Sequence, residues 1–251
     1  MEFNIDGVSI PYNDKWSRIA ISLSGGADSA LLSYILCLQA KEVNPKLSIH
    51  VISHIRCWKT KPWQQFDSEK VYNYLSKKFN FLNWYRHVNF IAPDLEYGNT
   101  GPTIQDEYGK MVSGDNIQIR SYSEFICHYY NIDAYYNAVT RNPKTKNIEG
   151  KMTERDVDPT DDNKHLRMMP HMHGYAIHPF RFIDKSWVIK QYKRLGITDL
   201  LNITRSCEGE FEGMNYSSYR FGNKVPTCGE CFWCKEREWA INEYEIFKSE
   251  T

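Results

Sequence analysis

The sequence has no surplus of either charge: 31 Lys and Arg stand against 31 Asp and Glu. That balance argues against broad, nonspecific binding to nucleic acid, which needs an excess of cations, though it leaves room for a local basic groove. No apolar run approaches the roughly 20 residues that cross a bilayer, so no membrane partner is expected. The opening residues MEFNIDGVSIPYNDKW lack the basic start and apolar core of a secretory leader, so a cytoplasmic, reducing location is expected. Internal repeats and heptads are absent as well.

What is present fits a folded enzyme-sized chain. Its 251 residues, 41% of them apolar, suffice for one large domain or a domain with a small appendage. The 7 cysteines are unevenly spread. Cys37, Cys57 and Cys127 lie far apart, whereas Cys207, Cys228, Cys231 and Cys234 crowd the last fifth of the chain. In a reducing compartment such a cluster points to metal more than to disulfides.

The pattern along the chain alternates between strands and helices. Arg18 to Ser24 reads as a short buried strand, Ala30 to Ala40 as a helix and Leu47 to His54 as a second strand. Gln64 to Phe79 reads as an amphipathic helix, Trp84 to Ile91 as a third strand, Ile117 to Tyr130 as a helix and Ala134 to Val139 as a fourth strand. Asp184 can cap a helix over Lys185 to Leu195 that stops at Gly196, and helical content follows at Thr198 to Asn202 and Glu230 to Phe247. The stretches Pro93 to Asp115 and Arg141 to Pro170 are polar and irregular and are expected to be loops, the second with a lid-like or disordered part. The fold class expected is α/β, doubly wound around a mostly parallel five-stranded sheet of Rossmann-like type. Residues 1–204 would form the main domain and residues 205–251 a C-terminal cysteine segment and helix.

Two motifs carry the chemistry. The first is Ser24-Gly25-Gly26-Ala27-Asp28-Ser29, between the first strand and the first helix. Two glycines let backbone approach an anion, the helix N-terminus offers unpaired N–H groups, and Ser24 and Ser29 add hydroxyls. Asp28 can orient a metal ion or a neighbouring N–H. The string matches neither the Walker A pattern nor G-x-G-x-x-G. The second motif is Cys228-Gly-Glu-Cys231-Phe-Trp-Cys234, with Cys207 upstream. Four thiolates suit a closed tetrahedral zinc site, and an iron–sulfur cluster is the alternative. His165, His171, His173 and His178 lack a metal spacing and read as ordinary loop histidines.

The SGGADS string resembles the loop of the PP-loop (N-type ATP pyrophosphatase) superfamily. Together with the four cysteines it resembles the 7-cyano-7-deazaguanine synthase family, over roughly residues 18–55 and 178–240. HPFRFIDKSWVIKQYKRLGIT, then ITRSC, then CGECFWCKER carry that resemblance. It implies an adenine nucleotide alpha hydrolase-like fold and a ligase that turns 7-carboxy-7-deazaguanine and ammonia into the nitrile, using ATP and Mg²⁺, with structural Zn²⁺. By the same resemblance Ser24, Gly25, Gly26, Asp28 and Ser29 cradle the triphosphate, and Ser53, His54 and Ile55 contact adenine. Lys185 joins Asp28 as a catalytic residue, Cys207, Cys228, Cys231 and Cys234 hold the metal, and Arg120 is a weaker candidate for phosphate or carboxylate contact. Arg205 is a further anion candidate, and Trp63, Tyr108 and Phe180 are stacking candidates. The partners implied are a deazapurine carboxylate and ammonia, and a homodimer is allowed. RCWKTKPWQQ and YGKMVSGDN depart from the family's motifs, so fold and ATP chemistry follow more directly than the substrate. Other readings are a PP-loop ligase for another carboxylate or deazapurine, a tRNA-modifying thiolase using Cys57, and a noncatalytic nucleotide-binding module.

Overall fold

The structure, a computed structural model, describes residues 2–56, 64–91, 103–105, 111–143, 148, 155, 166–168, 174–208 and 227–250. The chain opens with a hairpin that the sequence reading did not anticipate, β1 (Glu2–Ile5) and β2 (Val8–Pro11). Its turn is Asp6-Gly7, with φ of 46° and 78°. Positive φ at both central residues is what a tight two-residue hairpin needs, and Asp-Gly supplies it at little cost.

Next come β3 (Arg18–Ser22), α1 (Ala27–Val43), β4 (Ser48–Arg56), α2 (Gln64–Lys78) and β5 (Asn83–Ile91). Each lies within a few residues of its expected place. A small hairpin, β6 (Thr103–Gln105) and β7 (Met111–Ser113), interrupts the first stretch expected to be irregular. Then follow α3 (Gly114–Tyr129), β8 (Ala134–Tyr136), β9 (Leu166–Met168) and β10 (Tyr175–Ile177). The chain ends with α4 (Lys185–Arg194), α5 (Thr198–Ile203) and α6 (Phe232–Glu250).

The main sheet has six strands in the order β5-β4-β3-β8-β10-β9. The first five run parallel and β9 pairs antiparallel to β10 at the edge. The expected five-stranded parallel sheet is thus present, with one antiparallel strand added from the stretch expected to be a loop. The parallel strands of a doubly wound sheet are covered on both faces, and their residues divide accordingly. Ile19, Ile21, Ile49 and Val51 face the larger core under α1 and α4, while Ala20 and Ile52 face Ile126 and Cys127 of α3. Nearly every residue of α1 from Ala27 to Ala40 is buried, because that helix lies between the sheet and α2, α4 and α5.

The order reverses between β3 and β8: the chain leaves β3 towards β4 and β5, then returns to β8 on the other side. Connections diverge there and open a crevice beyond the strands' carboxyl ends, where doubly wound sheets bind ligands. Among the described residues no helix is long and apolar enough to cross a membrane.

Candidate active site and four-cysteine centre

The Ser24–Ser29 loop sits at that reversal. Gly25 has φ of +80°, and a Cβ there would lie 2.6 Å from the Ser68 backbone nitrogen of α2. Only glycine meets both conditions, so α2 can press against the loop. The two serine hydroxyls fold the loop over: Ser24 Oγ and Ser29 Oγ lie 3.1 Å apart, and Gly26 N–H donates to Ser24 Oγ at 3.2 Å. From the other side, Arg205 N–H donates to Gly25 O at 2.9 Å. Arg205 stands two residues before Cys207, so the cysteine segment is tied to the loop through backbone.

A cavity of about 420 Å³ opens over the loop, within the size of small-molecule sites. Ser24, Gly26, Asp28 and Ser29 line one wall, and Asn137 to Thr140 beyond β8 line another. Arg56, Arg155, Lys185 and Arg205 also border it, as do Cys207 and Trp233. These four cations share the lining with the carboxylates of Asp28, Asp67 and Glu208, so the crevice carries charges of both signs.

Lys185 is the first residue of α4. Asp184 caps that helix as the sequence predicts, accepting from Ser186 N at 3.1 Å, and this fixes where Lys185 points. Its side chain is 3% exposed. The Lys185 ammonium donates to Asp28 Oδ2 and lies 3.9 Å from Glu236 Oε2. Glu236 of α6 is fully buried and accepts from Arg155 Nη2 at 2.6 Å. Loop, α4, α6 and Arg155 are therefore joined by alternating charges, Asp28, Lys185, Glu236 and Arg155. Burial pushes the Glu236 carboxyl up from its ordinary range, while Lys185 and Arg155 pull it back. Asp28 Oδ1 is buried without a hydrogen-bond partner among the described residues. A hard oxygen donor of that kind suits a cation such as Mg²⁺, which takes one or two carboxylates and otherwise keeps water and phosphate oxygens.

The four clustered cysteines converge. The sulfurs of Cys207, Cys228, Cys231 and Cys234 all lie within 4.8 Å of one another. Cys207 Sγ is 3.6 Å from Cys228 Sγ, and Cys228 Sγ is 3.9 Å from Cys234 Sγ. A tetrahedral ion with metal–sulfur bonds of about 2.3 Å sets such edges near 3.8 Å. The N–H groups of Cys228 and Cys231 point at Cys207 Sγ and Cys228 Sγ, at 3.4 and 3.3 Å, which suits thiolates. The donor set therefore fits a bound metal. Arg237 anchors the start of α6, donating to Thr204 O at 3.1 Å and Leu201 O at 2.9 Å.

Comparison with known proteins adds structural neighbours. No protein-family model matches this chain, and no curated protein does. Among solved structures the chain is similar to the U34-tRNA thiolase NcsA from Methanococcus maripaludis, which carries a 4Fe–4S cluster. The two share 12% identity at a TM-score of 0.45, over 91% of this chain and 67% of the other.

Other residues singled out from the sequence fall elsewhere. Ser53, His54 and Ile55 are buried within β4 and are not among the described residues that line the cavity. Ser53 Oγ donates to Leu23 O at 2.9 Å, and His54 Nε2 lies 3.0 Å from Ser123 Oγ. β4 runs two residues past its expected end, so Arg56 is the residue that reaches the cavity. Arg120 lies on α3, 42% exposed and paired with Glu124 at 2.8 Å, and is not among the lining residues. Phe180 is fully buried against Trp187. Cys57, Trp63, Tyr108, His165, His171 and His173 lie outside the described residues.

Sequence reasoning missed Arg155 and Glu236. Both are charged residues in polar surroundings, and nothing in their spacing announces burial.

Proposed function

We propose that the chain is an ATP-dependent carbon–nitrogen ligase of the PP-loop type, which adenylates a carboxylate and transfers the acyl group to ammonia. The observation that carries this reading is the placing of Ser24–Ser29 at the strand-order reversal, on a cavity bordered by Lys185 and by Cys207. The substrate class proposed is a deazapurine carboxylate, with 7-carboxy-7-deazaguanine as the acid to test.

The triphosphate lies on the loop, where N–H groups at the start of α1 and the hydroxyls of Ser24 and Ser29 receive its oxygens. A carboxylate oxygen attacks the α phosphorus, and the bond to the bridging oxygen of the β phosphate breaks. Pyrophosphate leaves with that electron pair. Lys185 shifts from Asp28 towards the separating phosphates and offsets the growing charge, a stabilisation aimed at the transition state. Asp28, released from Lys185, would hold the magnesium that accompanies ATP, and that ion would supply charge neutralisation to the phosphates. Ammonia then attacks the acyl carbon, AMP leaves and a proton is released, giving the amide. A second adenylation on the amide oxygen, followed by loss of AMP and a proton, yields the nitrile.

We place zinc at the cysteines. Four sulfurs within 4.8 Å support one tetrahedral ion and speak against a cubane cluster, in which each sulfur caps a different iron and the four spread wider. Bound there, zinc would supply a fixed corner that holds Arg205 on Gly25 and the start of α6 on Thr204. The test is incubation with ATP, magnesium, ammonium and 7-carboxy-7-deazaguanine, followed by mass spectrometry. The reading expects AMP, pyrophosphate and the amide or nitrile. AMP-free mixtures, from protein shown to bind ATP, would remove the ligase assignment.

A further inference from the structure

Arg155 is the most unusual side chain in the cavity. It is 6% exposed, yet it borders the open volume. Its Nε donates to Thr140 O at 2.7 Å. Its Nη2 reaches Thr140 Oγ1 and Arg141 O, each at 2.7 Å, and Glu236 Oε1 at 2.6 Å. The guanidinium also lies over the Trp233 ring at 5.2 Å and the Phe232 ring at 5.6 Å. Those contacts fix its plane on three sides. Nη1, with two N–H donors, is buried and has no hydrogen-bond partner among the described residues.

A buried cationic nitrogen with two unsatisfied donors is costly unless something arrives to accept from it. The geometry suits an oxyanion, because a guanidinium locked in place presents its remaining edge without losing rotamer freedom. Position along the charge chain says which oxyanion. Lys185 adjoins Asp28 of the Ser24–Ser29 loop, whereas Arg155 lies beyond Glu236, between Thr140 in the segment after β8 and Trp233 beside the cysteines. Arg155 is thus linked to the loop through Glu236 and Lys185, and it borders the cavity beside Thr140 and Trp233.

We infer that Arg155 binds the carboxylate of the acid being activated, through Nη1, and sets the preference for an acid over its neutral amide. This rests on the ligase reading above. In that role Glu236 is a positioning residue: it holds Nη2 and leaves Nη1 for the ligand. After ammonia transfer the amide is neutral and its hold on Arg155 weakens, which frees its oxygen for the second adenylation.

The experiment is calorimetric titration of the full chain, pre-bound to the non-cleavable analogue α,β-methylene-ATP and magnesium. The ligands are 7-carboxy-7-deazaguanine and its neutral 7-carboxamide, and the proteins are wild type, Arg155→Lys and Arg155→Gln. Wild type is expected to prefer the acid by roughly tenfold to hundredfold, the usual worth of a hydrogen bond to a charged group. Arg155→Gln should bring acid and amide to equal affinity, and Arg155→Lys, which keeps a cation against Glu236, should fall between. Nucleotide affinity should stay within about threefold in both variants. Equal weakening of acid and amide would mark a packing role and overturn the inference. Loss of nucleotide affinity alone would make the oxyanion a phosphate and overturn it as well. Wild type that binds nucleotide but neither deazapurine would remove the substrate assignment, and this inference with it. Acid preference retained in Arg155→Gln would remove this inference alone.

Discussion

At the scale of single residues, Lys185 carries the most weight. Its ammonium sits between Asp28 and Glu236, inside the fold rather than in water. Replacing it by Gln should lower adenylation by roughly a hundredfold to a thousandfold, as for other groups aimed at developing charge. It should also lower stability by about 3 kcal/mol, the low end for a broken buried pair, because Arg155 still neutralises Glu236. Pyrophosphate release and thermal denaturation check the two effects separately. His54 gives a second test. Burial, with Arg56 adding to it, lowers its pKa from 6.5 to about 4. Between those values the unfolded chain takes up a proton that the folded chain refuses. Stability from this site is complete above about pH 6.5 and is lost as pH falls towards 4. His50, stacked on His87 and also lowered to about 4, acts in the same direction. The melting temperature should therefore drop over that window, and His54→Gln should flatten part of the slope. An unchanged slope would contradict the assignment of the buried neutral imidazole.

At the scale of elements, the cysteine centre is coupled to the Ser24–Ser29 loop by short links. Arg205 holds Gly25, Arg237 holds Thr204, and Glu236 on α6 meets Lys185 on α4. Chelation should lower the melting temperature and speed amide exchange at the start of α6 and at Arg205, while β3, β4 and α1 keep their protection. Metal analysis should return one zinc and no iron per chain, without the visible absorption of an iron–sulfur cluster. Much of this was legible in the sequence where local rules govern. Buried β-branched runs gave β3 and β4, Asp184 and Gly196 bracketed α4, and the C-x-x-C-x-x-C spacing announced convergent thiols. The three-residue strands β9 and β10 exist because neighbours pair with them, and so short a segment has no period of its own to read, whereas β8 falls within the strand read at Ala134 to Val139. The hairpin at Asp6-Gly7 did carry a signal, an Asp-Gly between alternating residues. The adenine contacts expected at Ser53 to Ile55 depended on where β4 ends, and sheet pairing with β5 carries that strand on to Arg56. Arg155 and Glu236 were invisible because a charged residue reads as solvated until a partner from a distant segment is known.

At the scale of the molecule, a chain with no net charge places four cations around one crevice, with Asp28, Asp67 and Glu208 on its wall and Glu236 behind Lys185. The crevice lies where a doubly wound sheet reverses its strand order, and the cysteine centre closes its other side. Both features serve one claim, that an anionic acid meets the α phosphorus of ATP between them. Oxygen tracing tests that claim most directly. With 7-carboxy-7-deazaguanine labelled by ¹⁸O in its carboxylate, attack on the α phosphorus must leave one labelled oxygen in AMP once ammonia has displaced it. Mass spectrometry of AMP from a single turnover is therefore expected to show that one label. Unlabelled AMP, or label found in phosphate or pyrophosphate, would contradict adenylation at this site.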